Sequence, residues 1–477
     1  MGEEIDIAQF HNEDYSRFQS KLEEENRLLH QWFEQNRFSA SHPVAGFELE
    51  AWLLDEHFHP APLNEAFLEK LNSPLASPEL ASFNFEVNST PQILKKDSLS
   101  VMHAELNQTW QHCLHTAAAI DCQAVMIGIL PTLQNEDLNL ANMSKMTRYR
   151  ALNREVIRQR HGKPLVFDIN GKEHLHVTHR DVMLEAASTS FQIHIQIPLD
   201  KAVRFYNASI IAAGSMVAIS ANSPFLFGKS LWEETRIPVF EQAVAVGGYD
   251  GAAFGPIKRV TFGSGYARSS LQECFDENVE HYPVLLPVTF DDDINQLRHL
   301  RLHNGTIWRW NRPLIGFDEK GTPHLRIEHR VVPSGPTIID TIANAAFYYG
   351  LATALAEQEI APESQLSFDK ARDNFYNAAR HGLRAGQSWL TTDNIKIREL
   401  CLKTLLPMAE QGLTLLGISD DDSRHYLGII EQRVEQERNG AQWQQQFISQ
   451  YGGDMSVMLK AYMERQRSGE PVHSWTD

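Results

Sequence analysis

Gly46-Phe47-Glu48-Leu49-Glu50-Ala51-Trp52-Leu53-Leu54-Asp55 is the stretch on which the fold turns. It sets two carboxylates two positions apart in an otherwise apolar run. Read as a β-strand, alternation sends Glu48, Glu50 and Trp52 to one face and Phe47, Leu49 and Ala51 to the other, with the two Glu Cβ atoms about 6–7 Å apart. Like-charged carboxylates on one face repel, and each is costly if it loses water without a partner. Something positive is therefore expected against that face.

Three later segments repeat the design. Residues 81–88 alternate so that Asn84, Glu86 and Asn88 share a face, and 190–197 set Gln192, His194 and Gln196 against four apolar side chains. Residues 325–331 put Arg326, Glu328 and Arg330 on one side. Laid together in an antiparallel sheet, these strands give an apolar face for helices to cover and a polar face of Glu, Gln, His and Arg. A solvated sheet face is ordinarily richer in Thr, Lys and Ser. Four glutamates around a His or Gln make a hard, oxygen-rich site suited to Mg²⁺ or Mn²⁺, and neighbouring arginines suit planar carboxylate or phosphate groups.

Composition narrows the partner. The 477 residues are 42% hydrophobic and 22% charged, which is enough for a large core. A formal net charge of −18 argues against a chain that holds nucleic acid or an anionic membrane through bulk electrostatics, and points to a small molecule. Cys113, Cys122, Cys274 and Cys401 show no CxxC spacing. Neither a zinc ribbon nor a disulfide framework is indicated, and a reducing cytoplasm is the expected setting. The acidic first residues lack the basic and apolar segments of a signal peptide. The longest apolar run, 208–221, falls short of the roughly 20 residues a bilayer requires and reads as a buried helix.

Apolar spacing predicts helices over 16–38, 97–119 and 200–220, the last capped by Asp200, and, after a helix start at Ser334-Gly335-Pro336, over 366–380, 394–415 and 444–463. Residues 163–177 read as a hairpin in which Asn170-Gly171 supplies a type I′ turn. A short buried strand is expected over 124–129 and a strand pair over 305–332. Lys145, Arg148, Tyr149 and Arg150 are expected on a long polar loop, and the Gly-rich 247–265 on a lid or binding loop.

Other motifs carry less. Phe227-Gly228-Lys229-Ser230 ends like a P-loop, but the first glycine of that motif would fall on Ser223; Gly263-Ser264-Gly265-Tyr266-Ala267-Arg268 lacks the third glycine of a dinucleotide fingerprint. His174, His176 and His179 cluster without a cysteine or helix-spaced partner to complete a zinc set, and read as hairpin histidines.

Taken in chain order, six sets of residues resemble the glutamate-cysteine ligase superfamily of carboxylate-amine ligases, over residues 40–345. They are Phe47-Glu48-Leu49-Glu50; Glu79 with Glu86; Arg148-Tyr149; Gln192-Ile193-His194; Ala221-Asn222-Ser223-Pro224-Phe225; and Ile307-Trp308-Arg309-Trp310-Asn311-Arg312-Pro313 followed by Leu325-Arg326-Ile327-Glu328-His329-Arg330. The resemblance implies an α+β fold whose curved antiparallel active-site sheet, of the glutamine synthetase and guanidino kinase kind, is backed by helices. Residues 1–345 would be the ATP-dependent catalytic domain and 346–477 a helical C-terminal region packed on it.

It further implies that Glu48, Glu50, Glu86 and Glu328, with Glu79 and Gln192, hold Mg²⁺ or Mn²⁺ ions bridging the ATP phosphates. Gln192, His194, Arg309 and Arg326 would bind ATP. Arg312 and Arg330, with Glu328, would act at the transferring phosphoryl group, and Arg148, Tyr149, Arg236 and Arg330 would hold the amino acid. The implied chemistry forms a γ-glutamyl phosphate from glutamate and ATP, which an amine then attacks; cysteine, as in the first step of glutathione synthesis, is the expected amine. Where glutamine synthetase and several relatives carry His-x-His, this chain carries Gln192-Ile193-His194, so which of the two meets a metal stays open. Also open are a different amine acceptor, a small-molecule kinase that stops at phosphoryl transfer, a homologue that keeps ATP without turnover, a zinc hydrolase using His174, His176 and His179, and the oligomeric state.

Overall fold

The computed structural model describes residues 4–39, 42–246 and 258–476. Part of the expected Gly-rich binding loop, 247–257, lies outside the described residues. In chain order the elements used below are α1 (Asn12–Glu34), β1 (Val44–Leu54), β2 (Asn84–Asn88), α2 (Ser98–Ala118), α3 (Thr147–Gln159), the hairpin β3 (Leu165–Asn170) and β4 (His174–His179), and β5 (Ser190–Ile197). They continue as α4 (Ala202–Ser220), α5 (Arg236–Ala243), α6 (Arg298–Gly305), β6 (Asn311–Phe317), β7 (Pro323–Pro333), α7 (Ile338–Ala356), α8 (Leu406–Leu416), α9 (Asp420–Glu435), α10 (Gly440–Tyr451) and α11 (Met455–Ser468).

The main sheet runs β6-β7-β5-β1-β2, with Ala76–Pro78 as an edge strand beyond β2, and every neighbouring pair is antiparallel. This is the expected α+β arrangement of a curved antiparallel sheet backed by helices. Register places Glu50 opposite Glu86, Glu48 opposite Gln192, His194 opposite Glu328, and Glu328 opposite Arg312. Because directly paired residues point to the same face, one row of polar side chains crosses the sheet. A register shift between His329 and Val332 interrupts the β7–β5 ladder beside Arg330.

The opposite face carries Phe191, Ile193, Ile195, Leu325 and Ile327, all buried. It is covered by α4 and α7, whose residues are buried on nearly every side, as expected of helices that are apolar all round. By length and composition alone Leu199–Ser220 could cross a bilayer, but 89% of its most apolar stretch is buried inside the protein. One apolar cluster runs from Phe18 in α1 to Trp475. α7 packs against both the sheet and the later helices, and position 345, where a domain boundary was expected, falls within it.

Three local expectations differ. Arg148 and Tyr149 stand in the first turn of α3, not on a loop; apolar or aromatic residues at Tyr149, Leu152 and Val156 give that segment a helical face. The β3–β4 register closes at Asn170 opposite His174, which leaves three residues in the turn, and neither Asn170 nor Gly171 has the positive φ a type I′ turn requires. Gly171 is needed there for contact: a Cβ would lie 2.5 Å from the backbone of Leu231. Asp200 lies in a short 3₁₀ turn, and the α4 cap is Lys201, which makes no side-chain capping bond.

The tightest helix contact is α7 on α8. A Cβ on Gly412 would fall 1.8 Å from the carbonyl oxygen of Gly350, and one on Gly350 2.2 Å from that of Ala409. Backbone cannot yield as a flexible side chain does, so Gly412→Ala is expected to destabilise by about 1–3 kcal/mol. Gly428→Ala on α9, where an added methyl meets nothing within 4 Å, is the control and should be neutral or slightly stabilising. Denaturant titration of the two variants measures the difference; equal midpoints would show that the α7–α8 contact can open at no cost.

Candidate active site

β1 is the backbone of the site because its alternation sends Glu48 and Glu50 to the same side while its neighbours differ along its length. Glu48 Oε1 lies 3.5 Å from His194 Nε2, and Glu328 Oε1 4.0 Å from the same nitrogen. One donor atom from each of Glu48, His194 and Glu328 lies within 4.8 Å of the others. Two residues on, Glu50 forms a second set of the same dimensions with Glu79 and Glu86. The strand thus separates two carboxylate-rich gaps by its own repeat.

Each set is held differently. Glu328 is gripped by the Arg312 guanidinium, at 2.8 Å and 3.0 Å, and by Arg330 at 3.1 Å. Burial alone would raise its carboxyl, but Arg312 and then Arg330 outweigh that and hold it well below the usual carboxylate range. Glu50 accepts from the Ser190 backbone N–H at 2.6 Å, the Ser190 hydroxyl at 2.8 Å and the Gln192 amide at 2.8 Å. Burial and then the charge of Glu48 push Glu86 up to about 8, and burial with the charges of Glu50 and Glu86 push Glu79 well up. Burial brings the His194 imidazole down to about 4, which leaves it neutral and able to act as a ligand.

The atoms left over show what fits. Glu79 Oε1, Glu86 Oε2 and both ring nitrogens of His194 are buried without a hydrogen-bond partner among the described residues. Buried acceptors in this state are costly unless a cation or donor completes them. Oxygen donors with a single imidazole match the preferences of Mg²⁺ or Mn²⁺, so these residues fit divalent ions.

A cavity of about 290 Å³ opens over the sets and is lined by Glu48, Glu50, Glu79, Gln192, Glu328 and the two arginines Arg312 and Arg330. Arg326 and, from α3, Arg148 and Tyr149 complete the expected residues on its wall. The Arg148 guanidinium donates to the Tyr149 hydroxyl at 2.7 Å, and that hydroxyl donates to the Pro78 carbonyl at 3.2 Å. Glu86 and His194 stand immediately behind the wall within the donor sets.

Gln192 and His194 stand in different surroundings. The amide nitrogen of Gln192 is spent on Glu50 and its oxygen accepts from Arg330, so it is a brace between those two groups. His194 stands with Glu48 and Glu328 in a donor set. Two expected arginines do not reach the cavity. Arg309, with 1% of its surface exposed, pairs with Asn278 and Glu277; Trp308 takes the cavity side, so alternation sends Arg309 away. Arg236 is likewise buried, bonded to Glu234 and to the Val331 carbonyl at 2.6 Å. It supports the strand next to Arg330 and does not line the cavity.

Sequence reading missed Glu185, Arg298 and Arg301, all on the cavity wall. Glu185 lies in a 3₁₀ turn, where no periodicity marks it; burial and the nearby Glu50 push its carboxyl up to about 8. Arg298 and Arg301 stand three apart on α6, a spacing that could have been read as one basic face.

A family model described as glutamate-cysteine ligase family 2 matches residues 44–470. No curated protein matches the sequence. Among solved structures the chain is similar to a glutamate-cysteine ligase from Francisella tularensis in complex with AMP, at a TM-score of 0.53 and 11% identity, covering 90% of both chains. At that identity the likeness is one of fold. It is also similar to a bifunctional glutathione synthetase from Pasteurella multocida, at a TM-score of 0.48 and 9% identity, over 93% of this chain and 55% of that one.

The raised Glu86 carboxyl has a signed consequence for stability. Between the ordinary value near 4.5 and about 8, the folded state keeps a proton that the unfolded chain has lost, so stability falls as pH rises through that window. In the presence of a chelator, the melting temperature should decline less steeply from pH 5 to 8 in Glu86→Gln than in the natural protein. Excess Mg²⁺ should flatten the natural protein's decline, because metal binding displaces the proton. Identical slopes in both proteins would remove Glu86 as the source.

Proposed function

We propose that this chain, which belongs to glutamate-cysteine ligase family 2, joins the γ-carboxyl group of glutamate to the amino group of cysteine at the expense of ATP. The observation that carries the reading is the pair of donor sets placed side by side on one face of β1, beside a cavity that also holds Arg312 and Arg330. Phosphoryl transfer depends on positioning and charge neutralisation more than on a nucleophilic side chain, and this inventory is suited to both. Glu48, His194 and Glu328 on one side, with Glu50, Glu79 and Glu86 on the other, would hold Mg²⁺ or Mn²⁺. Such ions, when bound, neutralise the charge of ATP phosphates. A cytoplasmic setting belongs to the same proposal.

In the first step an oxygen of the glutamate γ-carboxylate attacks the terminal phosphorus of ATP, the bridging P–O bond breaks, and ADP leaves. In the second the amine nitrogen attacks the acyl carbon, phosphate departs with the electrons of the C–O bond, and the nitrogen gives up a proton. Arg312 and Arg330, fixed by Glu328, present positive charge to the transferring group. Arg148 and Tyr149 are assigned to the amino-acid carboxylate. Glu185, a carboxyl outside both donor sets, is assigned to the ammonium group of an amino-acid substrate.

Purified protein supplied with Mg²⁺-ATP, glutamate and cysteine is expected to release ADP and to form γ-glutamylcysteine, identified by mass. ADP release with another amine only would keep the ligase and replace cysteine; ADP without an amide product would make the protein a kinase; no ADP under any condition would overturn the reading. Glu50→Gln and Glu328→Gln should each lower turnover at least about tenfold, since losing even an outer partner of a metal site is worth that much. Near-normal rates in both would sink the metal assignment. Glu185→Gln should raise the KM for an amino-acid substrate more than it lowers kcat; the reverse pattern would remove Glu185 from substrate binding.

A further inference from the structure

A third set of donors converges far from the cavity wall, on the outer face of the β3–β4 hairpin. Alternation buries Leu165, Phe167 and Ile169 and turns Asp168 outward, where it stands opposite His176 across the ladder; His174 is opposite Asn170. Asp168 Oδ1 lies 2.9 Å from His174 Nε2, and Asp168 Oδ2 lies 3.5 Å from His176 Nδ1. One donor atom from each residue lies within 4.8 Å of the other two. Strand parity separates the third histidine: His179 faces inward, 6% exposed, and bonds to Asn135. The sequence cluster of three histidines is thus replaced by an Asp-His-His set that only the cross-strand register brings together.

The 2.9 Å separation is that of a hydrogen bond, and both separations also suit ligands of one ion. Donors bound at about 2.0–2.2 Å to one first-row ion sit roughly 3–3.4 Å from each other, and the two measured separations bracket that range. The base beneath them is fixed. The Asp168 N–H donates to Gln242 of α5 at 2.8 Å and the Asp168 carbonyl accepts from the same amide at 3.5 Å. The hairpin tip is seated at Gly171 against Leu231. Lys229 is the adjacent cation, and its ammonium donates to the His174 carbonyl oxygen at 2.6 Å, so it is anchored to the backbone. Asn170 adds an amide 3.3 Å from Asp168 Oδ1.

We propose that Asp168, His174 and His176 bind a divalent transition-metal ion such as Zn²⁺ at the surface, with the remaining coordination positions open to water. Two imidazoles and one carboxylate prefer Zn²⁺, Ni²⁺ or Cu²⁺ over Mg²⁺, whereas the glutamate-rich sets on β1 favour hard cations. The chain therefore carries metal environments of opposite preference, and the hairpin site, if loaded, cross-links β3 to β4.

The test is calorimetric titration of Zn²⁺ at pH 7.5 into protein without a polyhistidine tag and in excess Mg²⁺. The natural protein is compared with the double variant His174→Ala/His176→Ala and with Asp168→Asn. The double variant should lose one equivalent of bound Zn²⁺, and Asp168→Asn should bind that equivalent at least about tenfold more weakly. The metal-free melting temperature should be unchanged in both, because all three side chains are exposed. Any Zn²⁺ taken up by the β1 sets appears equally in every protein. The same number of equivalents in the double variant, or no Zn²⁺ binding by the natural protein in excess Mg²⁺, would overturn the proposal.

Discussion

The molecule is arranged around the electrostatic cost of gathering Glu48, Glu50, Glu79, Glu86, Glu185 and Glu328 into one largely buried space. No isolated carboxylate survives such burial as an anion without compensation. The chain compensates three ways. Glu328 is paired with two guanidiniums. Glu50 is satisfied by a backbone N–H, a hydroxyl and an amide. Glu79 and Glu86 are left with buried oxygens that nothing among the described residues completes. The first keeps Glu328 charged, the second fixes Glu50 in direction although burial still raises its carboxyl, and the third leaves room for cations. Buried charge of this kind adds little to stability, so the surrounding apolar layers of α4 and α7 must hold the frame that keeps it in place.

What could be read from the sequence was set by parity. Alternation along 46–55, 84–88, 190–197 and 325–331 survives any amount of twist, so membership of the polar face was legible for Glu48, Glu50, Glu86, Gln192, His194, Arg326, Glu328 and Arg330. Parity says nothing of depth or of what a side chain meets. Arg236 and Arg309 follow the family pattern in sequence yet are engaged by Glu234, Val331, Asn278 and Glu277 behind the wall. Glu185 sits in a turn without period, and the Asp168 set depends on which residue of one strand stands across from which residue of the other. The engagement of Gln192 by Glu50 and Arg330 depends on a hydrogen-bond network that reaches three strands.

The late helices, for which the sequence offered only spacing, act on the sheet from behind. Tyr462 donates to the Met126 carbonyl at 3.0 Å, and Gln466 holds both the N–H and the carbonyl of Met126. Asn222 donates to the Ser334 carbonyl and accepts from Gln444 of α10. These bonds close backbone groups just past the strand Gln123–Val125 and where β7 ends. Side-chain amides from α10 and α11 thus finish hydrogen bonding that the sheet leaves open, and they connect the last turns of the chain to the strand that carries Glu328.

The strand order β6-β7-β5-β1-β2 also sets a timetable. During synthesis the glutamates of β1 emerge well before the arginines of β6 and β7 that will neutralise their neighbours, with more than 250 residues separating Glu48 from Arg312. The central strand cannot be flanked on both sides until β5 has been made, and Glu328 cannot be seated until its own hairpin exists. A topology in which distant segments meet at the centre has high contact order, and such chains pass slowly through a compact state with unpaired strand edges. Until those partners are made, mutual repulsion among the β1 and β2 carboxylates opposes burial of that face.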